Sequence, residues 1–516
     1  MIADGALASP TSTRSAGLAP ALVAVFVVAA AAIHLNWPPP SDVSWLLTVC
    51  DRMLAGQRLY ADIAETNPPM TIWLYLPLAW LAGKLGVSAE TVVVVAMIGV
   101  CIASIALADR ILDALPSRPG RAAWWIVATF ALVAAPVYTF AQKEHFAAAF
   151  VLPVLAAVAA RAAGGRIPLW TAVAAGLCAG LTVAIKPHFA LAIVLPVAAA
   201  CAAARSLRPA LAPECLFGAL AFALYTGAAL LAHPEFLTDM LPVVSEVYAP
   251  YRMPFGTVLA TPFLLVCAIC LAAWALRTDI LRRPLDRTLL AAFVGFFIAY
   301  VVQGRGWPYH LMPAMTLAII GFGLSLARQS AAIGLRSSAA AVLSIAAGLA
   351  VAASISVTAL ERWSGELAYE RAAEAALSPL GRGLRIALLS PDLTIGTPLH
   401  RMIGATLVNP GPSIWVAGHA LGLLHWRPDD PAAARWREIA VLDRAAWLDR
   451  AKATRPDVVI AAFTGRDWLA WAREDRETAS FLDDYRLFAT VAAGGERVRI
   501  LARADLGAPS TAPEAP

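Results

Sequence analysis

The chain has 516 residues, of which 60% are hydrophobic and only 15% charged, and its mean hydropathy is +0.68. A soluble globular protein of this length carries far more charge, so the composition indicates a polytopic membrane protein. The formal charge of +5 is small, and the arginines fall between apolar runs rather than in a block, which argues against a nucleic-acid partner.

The first apolar run, 18–35, follows Arg14. It nearly matches the ~30 Å of a bilayer's hydrocarbon and many more runs follow, so it is read as a span rather than a cleavable leader. Arg14 then marks the cytoplasmic side, with 1–17 as a cytoplasmic tail. A polar stretch follows, 36–69, carrying Asp42, Asp51, Asp62 and Glu65. Further spans are expected near 88–107, 122–141, 146–161, 168–185, 188–204, 211–232, 256–276, 288–303, 308–327 and 338–360.

The loops between these runs alternate between two chemical classes. One class is rich in arginine (Arg110, Arg118 and Arg121; Arg161 and Arg166; Arg205 and Arg208; Arg277, Arg282, Arg283 and Arg287; Arg328 and Arg336) and is assigned to the cytoplasm by the positive-inside rule. The other comprises 36–69, Gln142 to His145, Lys186 to His188, 233–255, Gln303 to His310, and everything after about 361; these share the external face. The scheme closes if 70–83 is a half-inserted or interfacial helix begun after Pro68 and Pro69, because a full crossing there would put the arginines outside. The expected fold is therefore mainly α: a transmembrane domain over 18–360 with eleven full crossings, twelve if 70–83 also crosses.

Beyond Arg362 charged residues become frequent and the apolar runs shorten. Strand-like runs at 384–389, 458–463 and 497–501, with helix-like stretches at 432–451 and 466–476, predict a small external α/β domain over 361–505. The Pro- and Ala-rich end, 506–516, is expected to be disordered. Six of the seven cysteines lie in or beside apolar runs, and no disulfide framework or zinc spacing is present.

Acidic groups held against a bilayer are costly, which makes the first loop the leading site candidate. Asp42 follows three prolines and Ser41 and opens an amphipathic stretch, a place suited to a general base and equally to an N-cap. Asp62 and Glu65 precede Asn67, Pro68 and Pro69; for Glu65 a solvated turn is the plainer reading. The other external loops supply Lys143, Glu144 and His145, then Lys186 and His188, then Gln303, Arg305, Trp307, Tyr309 and His310. Carboxylates suit activation of a hydroxyl, and cations suit a phosphate where water is excluded. That inventory fits sugar transfer from a lipid phosphate.

An aspartate in the first external loop, then Gly56-x-x-Leu59-Tyr60-x-Asp62 and Asn67-Pro68-Pro69 opening the next apolar segment, resembles the GT-C integral-membrane glycosyltransferases. The branch it is most similar to holds the protein O-mannosyltransferases and the lipid A aminoarabinose transferases. The resemblance implies a polyprenyl-phosphate-linked sugar donor, transfer on the external face and, commonly, inversion. It implies Asp42 as general base, Asp62 as a second acidic residue shaping the site, Glu144 in the second-loop acidic position, and Arg305 or Lys186 holding the donor phosphate. Asn67 stands where the family has lysine, so another cation would do that lysine's work. Val43 stands where the protein mannosyltransferases often have glutamate, which weakens the case for a protein acceptor.

Membrane lipids surround the enzyme so described, and its acceptor is a glycan, a lipid or a protein. No Asp-x-Asp motif calls for a metal-bound nucleotide sugar, and a bound divalent cation stays open. The alanine and arginine bias points to a GC-rich bacterial genome, hence an inner membrane with the site facing the periplasm. Two other readings compete: a secondary transporter, against which the one-sided polar residues and the lack of repeats count, and a polysaccharide polymerase or ligase, which would concentrate function in a late external loop.

Overall fold

A chain in hydrocarbon must satisfy its own backbone, and long apolar runs do so as helices. The computed structural model describes residues 11–277, 279–330, 338–361, 367–493 and 496–506. Most of the expected cytoplasmic tail and nearly all of the expected disordered end lie outside these. Among the described residues eight helices are long and apolar enough to cross a membrane: Leu18–Asn36, Ala89–Leu112, Lys143–Ala162, Pro187–Ala204, Pro213–Ala232, Pro284–Gln303, Pro308–Arg328 and Ala341–Glu361. Three shorter apolar helices, Arg121–Ala134, Leu169–Ile185 and Pro262–Leu276, occupy the remaining expected positions. The chain is a mainly helical multi-pass membrane protein with a small sheet near its C-terminus.

Two runs depart from a plain helix. The run expected over 256–276 is broken, with Phe255–Leu259 ending before Pro262–Arg277 begins, as Pro262 has no N–H to continue the ladder. The run over 122–141 changes from α to π geometry at Phe130–Ala134 and stops ahead of Pro136. The segment 70–83 is helical as Pro69–Leu85, with Pro69 in its first turn and Gly86 closing it at φ 66, where a left-handed backbone favours glycine.

The chain divides into two compact units. One comprises 1–37, 94–225 and 254–355. Its centre is Lys143–Ala162, buried along nearly its whole length. Pro284–Gln303 packs onto the start of Leu191–Ala204 so closely that a Cβ on Gly295 would lie 2.5 Å from the Leu191 carbonyl oxygen. Partly buried ion pairs join its helices: Arg161 Nε to Glu214 at 3.0 Å and Arg328 Nη2 to Asp286 at 2.8 Å.

The other unit comprises 38–93, 226–253 and 356–516. It holds a five-stranded sheet in the order β2-β1-β3-β5-β4, formed by β1 (Arg385–Leu389), β2 (Thr406–Leu407), β3 (Val458–Ala462), β4 (Tyr485–Ala493) and β5 (Glu496–Arg503). β1 runs parallel to β2 and β3, with Ile386 opposite Val458; β3 and β4 flank β5 antiparallel, with Val458 opposite Ala502. All five residues of β3 are buried, as expected of a central strand covered on both faces. Helices Leu367–Leu377, Trp415–Trp426 and Ala433–Thr454 belong to the same unit.

Candidate functional site

The first loop folds as a helix, Ser41–Leu54, that begins after Pro38-Pro39-Pro40, where each following proline keeps the one before it extended and Pro40 itself is extended at ψ 147. The stripe Asp42, Trp45, Val49 and Arg52 lies on one face by its spacing, and the last three are buried. Pro40 is the N-cap and no side chain caps the helix, so Asp42 sits in the first turn without a capping bond of its own. It is half-buried.

The other three acidic residues of this loop are engaged. Asp51 accepts from Arg401 Nη1 at 2.5 Å, and Arg401 Nε reaches Glu90 at 2.6 Å. Asp62 accepts from the Arg58 backbone N–H at 2.7 Å and closes a turn. Glu65 is buried rather than solvated: its Oε2 accepts from Trp45 Nε1 at 2.5 Å and its Oε1 from both the backbone and the side-chain N–H of Asn67, each at 2.7 Å. The plainer reading of Glu65 as a solvated turn residue is therefore corrected; the indole of a helix twenty positions earlier draws it inward. Among the described residues Asp42 alone of the four has no hydrogen-bond or ion-pair partner.

In the other unit, Lys143, Glu144 and His145 form the buried first turn of Lys143–Ala162. Lys186 Nζ lies 2.6 Å from Glu144 Oε1 and donates to Gln303 Oε1 at 2.6 Å. His310 Nε2 is 3.9 Å from the same Glu144 oxygen, while its buried Nδ1 has no hydrogen-bond partner among the described residues. Lys143 Nζ stands 5.3 Å from the Tyr309 ring, and Arg305 stands 5.6 Å from the Trp307 ring. Gly304 and Gly306, at φ 64 and 69, make the turn that brings Arg305 and Trp307 beside Tyr309 and His310.

Two sequence candidates, His145 and His188, make contacts of other kinds. The ring of His145 is used internally, with Nδ1 accepting from Ala141 N–H at 3.0 Å and Nε2–H donating to the Leu132 carbonyl at 2.7 Å, which braces the π-helical turn. His188 packs against Phe189, and its Nε2 is buried without a hydrogen-bond partner among the described residues. No group of three His, Cys, Asp or Glu side chains among the described residues converges as metal ligands.

The sequence did not single out Arg52, His400 or Arg401. Arg52 donates to the carbonyls of Leu407, of Asn409 at 2.9 Å and of Pro410 at 3.3 Å. His400 Nδ1–H donates to the Gly396 carbonyl at 2.9 Å, leaving Nε2 to accept from the Thr48 hydroxyl at 2.8 Å. Burial drives the His400 pKa down to about 4, so the ring is neutral. Burial, with the charge of Arg450 second, lowers Arg52 only to about 10, so it stays cationic.

No protein-family model matches the sequence, and no curated protein matches it. Among solved structures, ArnT from Cupriavidus metallidurans in the apo state aligns over 97% of this chain and 100% of its own, with 13% identity and a TM-score of 0.56. The same protein bound to undecaprenyl phosphate aligns over the same shares, with a TM-score of 0.57. At this identity the likeness is one of fold. The fold expected from the sequence is thus shared with ArnT, a membrane-protein fold in which this chain aligns almost end to end.

Proposed function

We propose that this chain transfers a sugar from a polyprenyl-phosphate donor to an acceptor hydroxyl, with Asp42 as the general base. The observation that carries the reading is the state of the first loop's carboxylates: three are engaged by the protein and Asp42, at a helix start, has no partner among the described residues. A carboxylate in that condition can take a proton from a bound hydroxyl. The oxygen then attacks the anomeric carbon and the bond from that carbon to the phosphate oxygen breaks with its electron pair, so the sugar inverts and polyprenyl phosphate departs as an anion needing no proton.

Lys186, Arg305 and His310 are assigned to that phosphate. The buried His310 Nδ1 without a partner and the cationic groups around it suit an anion held away from water. A structure of ArnT, whose fold this chain shares, holds undecaprenyl phosphate. Asp62, Glu65 and Asn67 serve the base by shaping its loop. The acceptor is a glycan, a lipid or a protein.

The site is assigned to the periplasmic face of a bacterial inner membrane, with the C-terminal α/β domain on that side. A membrane-impermeant thiol reagent should label Asp429→Cys in intact spheroplasts and Arg282→Cys only after permeabilisation; the reverse pattern would overturn the orientation. The activity itself is tested by incubating the purified protein with a panel of radiolabelled polyprenyl-phosphate sugars and following release of polyprenyl phosphate. Release from one donor is expected. Failure with every donor, alongside no binding of undecaprenyl phosphate, would defeat the reading.

A further inference from the structure

The segment that begins at the last residue of β2 has an unusual set of partners. All four of its consecutive carbonyls, Leu407 to Pro410, are bound: those of Leu407, Asn409 and Pro410 by Arg52, and that of Val408 by Arg450 Nε at 3.2 Å. The Pro410 carbonyl also accepts from Ala64 N–H at 3.0 Å, and Gly411 approaches so near that a Cβ there would lie 3.1 Å from the Ala64 oxygen. Two first-loop positions, Arg52 and Ala64, are thus fastened to one short piece of backbone.

Among the described residues no carboxylate holds Arg52 there. Its guanidinium, buried and 5.5 Å from the Trp45 ring, spends its donors on neutral carbonyls through two separate nitrogens of a rigid planar fork, a geometry that the single nitrogen of a lysine does not reproduce. Trp45 in turn donates to Glu65. Because Asp42, Trp45 and Arg52 share one face, with Asp42 and Arg52 spaced about 15 Å along the helix by its usual rise, fixing Arg52 fixes the rotation and height of the turn that carries Asp42.

We propose that Arg52 is a positioning residue for Asp42: through the 407–410 carbonyls it ties the first-loop helix to the C-terminal α/β region, which thereby sets the aim of the base. This rests on the reading of Asp42 as base. His400, bonded to Thr48 on the same helix, and Arg401, bonded to Asp51, hold that helix at two further points.

The test compares full-length wild type, Arg52→Lys, Asp42→Asn and the double variant, using the radiolabelled donor that wild type turns over, together with amide hydrogen exchange across 41–54 in each protein without donor. Lysine keeps the charge and loses the fork. Arg52→Lys should lower kcat about ten-fold or more, since small misplacements of a reacting group are costly, with the donor KM within about two-fold of wild type. It should cost nothing further in the Asp42→Asn background, because both changes act through one group. Exchange across the helix should quicken. An unchanged kcat, a rise in KM alone, or an equal loss in both backgrounds would overturn the proposal. If wild type turns over no donor, the glycosyl-transfer reading fails by itself, and unchanged helix protection in Arg52→Lys would then overturn the tie as well.

Discussion

Trp45 and Glu65 are joined by a buried hydrogen bond, indole N–H to carboxylate, of 2.5 Å, and Asn67 closes the other carboxylate oxygen from two sides. A glutamine at 65 would turn one amide N–H toward a donor. A buried donor left unmatched costs about 1–3 kcal/mol, so Glu65→Gln should lower the thermal unfolding midpoint clearly. Trp45→Phe should recover part of that loss when added to it, as the two side chains share one interaction. Equal midpoints for wild type and Glu65→Gln would contradict this role.

The neutral His400 predicts a pH response of definite sign. Its folded pKa, about 4, lies below the ordinary 6.5 because burial opposes the charged ring. The stability it contributes is therefore fully present above about pH 6.5 and is lost as pH falls through 6.5 toward 4. Between pH 7 and pH 5 the loss should be about 2 kcal/mol. His400→Gln should flatten the fall of the unfolding midpoint over that window. A variant as acid-sensitive as wild type would assign the acid response elsewhere.

Lys186 and Glu144 allow stability and binding to be separated. Lys186→Met strips Glu144 of its nearest cation in a buried place, and removing one partner of a buried pair typically costs about 3–5 kcal/mol. Adding Glu144→Gln should restore the unfolding midpoint while leaving undecaprenyl-phosphate binding weak. Recovery of binding along with stability would show that Lys186 does not hold the phosphate.

The spans were legible because a crossing helix needs an unbroken apolar run, and the expected 188–204 and 308–327 appear as Pro187–Ala204 and Pro308–Arg328. The strand-like run at 384–389 appears as Arg385–Leu389, since a buried parallel strand is itself a short apolar run. Long-range partners leave no such trace. Glu65 looked like a turn residue because nothing near it in sequence announces Trp45, and Arg52 drew no notice because the Leu407 carbonyl it binds lies 355 positions away. The break at Pro262 could have been read from the proline itself. Asp42 suited a general base and an N-cap equally in the sequence, and its lack of a capping role is visible only in three dimensions.

The most direct measurement is single-turnover release of polyprenyl phosphate from the accepted donor by wild type and by Asp42→Asn. A general base contributes about 10²–10⁴-fold, so the asparagine protein should bind donor as wild type does, unfold at the same temperature, and release polyprenyl phosphate at least about a hundred-fold more slowly. Release at the wild-type rate would remove Asp42 as the base and with it the mechanism built on the first loop.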